Sequence, residues 1–133
     1  MTTAQAILIT YGVFSLLYGF ALGVPLSRAR SVSPSASRHL VTAHLSAIMQ
    51  GPVHVSVAVA LGFTGAAAWV ETTAAVLLVA GSTLFLAGAT LNWLQHVDDH
   101  FAVHSTGWKL FAASSAGHLT GMAVVATCVV TRV

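Results

Sequence analysis

Apolar residues run with little interruption through four stretches of this chain, and polar residues gather in the short segments between them. The stretches cover residues 5–26, 38–63, 71–95 and 110–130. A bilayer core about 30 Å thick needs roughly 20 helical residues to cross it, so each stretch predicts one membrane-spanning helix. The first span is expected to end at Pro25, before Ser27-Arg28-Ala29-Arg30 and a polar loop at 31–37. Gly51-Pro52 falls inside the second span, where the missing amide and the ring clash predict a mid-membrane kink. Such breaks often open space for a ligand. A Gly-Ala turn at 64–68 leads into the third span, and a polar stretch at 96–109 leads into the fourth.

Composition agrees with this pattern. Hydrophobic residues make up 56% of the 133 residues, only 6% are charged, and mean hydropathy is +0.86, well outside the soluble range. The expected fold is all-α: one integral-membrane four-helix bundle occupying residues 1–133, with no repeat and no second domain. The sequence pI near 9.2 rests on five Lys or Arg against three acids, without a basic cluster interleaved with aromatics, so no nucleic-acid partner is expected. The N-terminus shows neither a basic n-region nor a cleavage site, so the first stretch reads as a retained span.

Cys128 is alone, which leaves no disulfide, CxxC pair or covalent haem motif. No GxSxG, Walker loop, dinucleotide fingerprint or intramembrane carboxylate pair is present. Reactivity, if the chain is an enzyme, is therefore expected from a metal centre. Gly81, Gly88, Ala113, Gly117 and Gly121 allow close helix approach, with GxxxG spacing at Gly117/Gly121, either within the chain or between copies. Trp69, Asn92, Trp93 and Trp108 mark span ends, where indole rings commonly settle at headgroup level.

Histidine carries the remaining chemistry. Of the seven, His39, His44, His96, His100, His104 and His118 fall in the half of the bundle nearest the loops at 31–37 and 96–109. An ionisable group inside a span is a functional candidate by default. His44, about six residues into the second span, can ligate a metal or haem as a neutral imidazole, or be satisfied by a backbone carbonyl. Gln50 and Gly51, about two turns on, are expected near the same cavity. His96, His100 and His104 recur every four residues, so a continuing helix would align them as a metal-binding stripe beside Asp98 and Asp99; a plain polar interfacial segment is the alternative. His39 and His44 form a second spaced pair. His54 and His118 serve either as polar glue across the bundle or as contacts to a ligand.

Two segments carry a family resemblance. Thr42-Ala43-His44-Leu45-Ser46-Ala47-Ile48-Met49-Gln50-Gly51-Pro52 is similar to the Ala-His segment of the styrene oxide isomerase family, followed six and seven residues on by Asn-Gly. Ser15-Leu16-Leu17-Tyr18-Gly19-Phe20-Ala21-Leu22-Gly23-Val24-Pro25 resembles that family's Leu-Leu-aromatic-Gly run. Gln50 stands where the family has Asn, and the third span offers no counterpart of the tyrosine that the family places near its substrate.

The resemblance implies a four-span haem b enzyme in which His44 is the axial ligand to iron. Ferric haem would act as a Lewis acid on a small apolar epoxide from the lipid, giving a carbonyl compound. Gln50 takes the role of hydrogen-bond donor to the reacting oxygen. Arg28, Arg30 or Arg38 would pair with the propionates, and His118 is a further contact candidate. Haem lies between subunits of a trimer in that family, so a homotrimer is expected. Three alternatives stay open: a related haem enzyme acting on a nitrogen–oxygen substrate, a b-type electron carrier with His44 and His118 as axial pair, and a non-enzymatic membrane metal-binding protein.

Arg28, Arg30, Arg38 and Lys109 flank the loops after the first and third spans, whereas Arg132 alone falls at the other face. The positive-inside tendency puts those loops in the cytoplasm and both termini outside an inner (cytoplasmic) membrane. Reporters fused at either terminus should map outside, and one inserted at 31–37 should map inside. The reverse pattern would show the charge bias too weak to set orientation.

Overall fold

The computed structural model describes residues 1–33 and 35–131; Pro34 of the expected loop and Arg132 of the charge argument fall outside them. The protein is all-helical: α1 (Thr3–Val32), α2 (Arg38–Leu61), α3 (Ala68–Leu94), the single turn α4 (His100–Val103) and α5 (Thr106–Val130). α1, α2, α3 and α5 are each long and apolar enough to cross a membrane, which marks a multi-pass membrane protein. Successive long helices form two hairpins, α1 with α2 and α3 with α5, and α3 also packs on both helices of the first hairpin.

Helix ends follow local chemistry. α1 starts at a capping box, in which Thr2 Oγ1 accepts from the Gln5 amide at 3.3 Å and Gln5 Oε1 accepts from the Thr2 amide at 2.8 Å. It does not stop at Pro25, as the sequence predicts, but continues to Val32. Proline inside a membrane helix costs one backbone bond and a local adjustment, which the flanking turns absorb. α2 likewise stays helical through Gly51-Pro52. α3 closes with a left-handed His96 (φ 53°), the His96 amide donating to Trp93 O at 3.1 Å and the Val97 amide to Asn92 O at 3.0 Å. α5 begins one turn earlier than expected because Ser105 caps it, accepting from the Trp108 amide at 3.1 Å. Ser105 Oγ also donates to Asn92 Oδ1 at 2.7 Å, tying the start of α5 to the end of α3. Asn92 is accordingly buried between helices, while Trp69 is exposed in the first turn of α3.

The core has two apolar clusters. One gathers Ala4, Leu8, Val57, Ala58, Leu61, Ala74, Ala75, Leu78 and Val125 towards the termini. The other gathers Leu22, Leu40, Ala43 and Ala89 towards the α1–α2 loop, with Tyr18, Leu26, Trp93 and Phe111 against it. Between them, at mid-bundle, lie Ser15, Gln50, His54, Ser82, Ser114 and His118.

Small residues set the helix separations. A Cβ at Gly117 would meet Leu77 O at 2.9 Å and Gly81 Cα at 3.1 Å, and one at Gly88 would meet Gly107 O at 2.8 Å. Gly81, Gly88, Gly117 and Gly121 therefore serve packing of α3 on α5 within the chain, whereas Ala113 is exposed. In α1–α2 the equivalent approach is Gly12 to Gly51, whose carbonyl would lie 2.8 Å from a Gly12 Cβ. Gly117→Val should destabilise the protein by about 1–3 kcal/mol in detergent unfolding, since backbone atoms of α3 cannot yield. Gly23→Ala, whose new methyl meets only His44 atoms at 3.5 and 3.8 Å, should show no loss.

Candidate functional site

The polar layer at mid-bundle is a continuous hydrogen-bonded chain. Ser82 Oγ on α3 lies 3.2 Å from His54 Nε2 on α2 and 2.9 Å from His118 Nε2 on α5. Each ring is anchored on its own helix one turn back, His54 Nδ1 at 2.8 Å from Gln50 O and His118 Nδ1 at 3.1 Å from Ser114 O. Ring nitrogens at i reach carbonyls at i−4 because helical side chains lean towards the N-terminus. Tyr11 of α1 packs on His54 with ring centroids 4.7 Å apart, and its hydroxyl donates to Gln50 Oε1 at 3.4 Å. Residues from four helices thus share one network, around a cavity of about 150 Å³ lined in part by Gln50, His54, Ser82 and His118. An adjoining cleft of about 450 Å³ runs along α2 and α5 past Ser46, Gln50, Ser115 and Leu119. Tyr11 and Ser82 escaped the sequence reading; the only signal was the Ser82-Thr83 interruption of an apolar run.

His44 stands apart from this network. Its Nδ1 lies 2.8 Å from Gly19 O on α1, which fixes the proton on Nδ1 and leaves Nε2 with a free lone pair. Gly23, one turn along α1, faces the same ring edge. Among the described residues Nε2 takes no protein hydrogen bond, and His44 is only half-buried and lines neither the mid-bundle cavity nor the cleft beside Gln50.

The expected sharing of one cavity by His44 and Gln50 is therefore not seen. Six residues turn a helix by about 240°, so His44 and Gly51 lie against α1, while Gln50 lines the cavities shared with α3 and α5 and reaches α1 only at the Tyr11 hydroxyl. His44 and His118 are not brought together either, and both nitrogens of His118 already have protein partners.

Of the basic residues, Arg28 and Arg30 are exposed on the last turns of α1. They lie about one to two turns beyond Gly23 at a 1.5 Å rise per residue. Arg38 is engaged elsewhere: its Nη2 donates to the Asp98 carbonyl, pinning the start of α2 to the α3–α4 loop.

The histidine stripe does not form. The left-handed turns at His96 (φ 53°) and His104 (φ 47°) break the helical period on either side of α4. His96 is exposed, and His104 stacks on Trp108 with centroids 4.8 Å apart. His100 turns inward to meet His39 of α2, ring centroids 5.2 Å apart and nearly perpendicular. His39 thus pairs with His100 and not with His44. Among the described residues no group of three His, Cys, Asp or Glu side chains could hold a metal ion.

Ser82→Ala should destabilise the bundle by about 1–2 kcal/mol in detergent unfolding, because it removes the one hydroxyl proton that two imidazole nitrogens share. The double variant Ser82→Ala/His118→Leu should recover part of that loss, since it also removes one stranded group. Additive losses would mean that the three side chains do not act as a unit.

Comparison with known proteins finds no matching family model, no matching curated protein and no matching solved structure.

Proposed function

We propose that this protein is a membrane-embedded haem b enzyme that isomerises a small apolar epoxide, arriving from the lipid, to a carbonyl compound. His44 carries the reading. A histidine whose Nδ1 proton is held by a backbone carbonyl, with the Nε2 lone pair free, has the tautomer and second-sphere support of an axial metal ligand. The residues around it fit the group: Gly23 leaves the ring edge uncrowded, and Arg28 and Arg30 supply cations at the same end of α1 for carboxylate side groups. The resemblance of residues 15–25 and 42–52 to styrene oxide isomerases adds the reaction class.

Ferric haem, when bound, supplies a Lewis acid that weakens an epoxide C–O bond with no net electron transfer. The chain's own part is to orient and to polarise. Gln50 Oε1 accepts from Tyr11, which holds the amide in register and leaves its N–H groups to donate to a substrate oxygen in the α2–α5 cleft. Met49, Phe85 and Leu119 give that cleft apolar walls, and it opens outward, towards the lipid from which an apolar substrate would arrive. His44 faces outward, away from Gln50, so the working site joins His44 of one copy to the Gln50 cleft of a neighbour. The family resemblance implies that three copies share sites in this way. A bis-histidine electron carrier within one chain is disfavoured because His44, held against α1 at Gly19, and His118, held at Ser82, are not brought together.

The purified protein should show a Soret band that His44→Ala abolishes while the chain remains membrane-inserted. Ferric protein should convert an aryl epoxide to its aldehyde without oxygen or a reductant, and dithionite should suppress this. Gln50→Ala should keep its haem and lose rate by roughly 10²–10³. Co-assembly of His44→Ala and Gln50→Ala chains should restore part of the activity, because some sites then contain both native residues. Full haem occupancy in His44→Ala, or a requirement for oxygen or an electron donor, would overturn the proposal.

A further inference from the structure

The end of the bundle near the α1–α2 and α3–α4 loops holds a cavity of about 470 Å³ that the proposed reaction does not use. His39 and His100 meet at its wall. His39 is only 3% exposed, and both its Nε2 and the Nδ1 of His100 are buried without a hydrogen-bond partner. Leaving two such atoms unpaired is costly, so a ligand that satisfies both at once binds with a large advantage.

The cavity's chemistry narrows the ligand. Its polar side chains are Arg38, His39, His100, Thr42 and Ser115, of which Ser115 already donates its proton to the Phe111 carbonyl, and among the described residues no carboxylate lines it. His100 can present an N–H from its unpaired Nδ1 in a neutral tautomer, and His39, whose other nitrogen meets the Val97 backbone, presents one from Nε2 when it takes up a proton together with the anion. Arg38, already fixed by its bond to the Asp98 carbonyl, adds a permanent positive charge. The remaining walls are the rings of Phe85, Phe101, Trp108 and Phe111, which suit a flat apolar body. A metal ion fits less well, because two nitrogens are an incomplete set, no third ligand joins them among the described residues, and a guanidinium borders the space.

We propose that this cavity binds a small monocarboxylate with an aromatic body, its head held by His39 and His100 beside Arg38 and its ring among the four aromatic side chains. The site borders the Gln50 cleft, with which it shares Phe85 and Ser115, but it uses neither His44 nor Gln50 and does not depend on the reaction assigned to them.

Calorimetric titration of the full-length protein in detergent with 3-phenylpropionate tests the idea. Saturable one-to-one binding is expected, with 3-phenylpropionamide, of the same shape but neutral, at least about tenfold weaker. His39→Leu and His100→Leu should each weaken the carboxylate by about tenfold and leave the amide unchanged. The amide comparison needs no variant, and His100 sits on the short α4, so a His39 variant that fails to fold does not remove the test. Equal binding of acid and amide would overturn the proposal by showing a merely apolar cavity. Stoichiometric Zn²⁺ binding abolished by either histidine variant, with no carboxylate binding, would overturn it in favour of a metal site. Absence of saturable binding by the acid would also overturn it.

Discussion

Hydrocarbon offers no hydrogen bonds, so an imidazole inside a membrane bundle must find its partners in the protein or in a ligand. That constraint sorts the histidines of this chain. His54 and His118 each donate Nδ1–H to the carbonyl one turn back, and their Nε2 atoms share the Ser82 hydroxyl, whose single proton serves one of them at a time. His44 is satisfied once, through Gly19, and offers its second nitrogen outward. His39 and His100 face one another with a nitrogen each left over. His96 and His104 serve as left-handed turn residues just past the ends of α3 and α4. The first pair builds the fold; the others are where a ligand has something to gain.

The satisfied chain works only because the helices lie close. Ser82 has a short side chain, so its hydroxyl reaches His54 and His118 together only where α3 packs tightly against both α2 and α5. Gly81, immediately before it, provides that approach: a Cβ there would meet His118 N and Ser114 O at 3.0 Å. Apolar clusters above and below seal the layer, with Leu8 and Leu61 on one side and Leu22 and Leu40 on the other. Lipid tails are as apolar as leucine, so contact and hydrogen bonding, rather than burial from water, select this arrangement over looser ones.

The spans were legible because transfer free energy is summed over some twenty residues, and no single side chain decides it. Their ends were less legible. Pro25 reads as a stop on rules for helices in water, yet α1 continues to Val32. The spacing of His96, His100 and His104 promises a stripe only if the backbone stays helical, and a closing motif at His96 cancelled the period at its first member. The meetings of His39 with His100 and of Ser82 with two histidines join residues far apart in sequence, and no local pattern encodes them. The separation of His44 from Gln50, in contrast, follows from helix geometry alone.

That separation bears most on how the chain could act. A ligand with one free coordination bond on the outer face of α1–α2, and a donor-lined cleft on the α2–α5 side, cannot converge within a single copy. Rotation of α2 would not bring them together, because both side chains are on that helix and turn with it. Symmetric assembly would resolve the problem: in a ring, the outward face of one copy would meet a different face of the next, and such a heterologous contact would close after a fixed number of subunits. A cofactor held at such a contact would bridge two chains and stabilise their association through its own binding energy. Folding of the single chain and completion of its site are then separate steps, the first driven by the glycine-lined hairpins and the second by ligand and neighbour together.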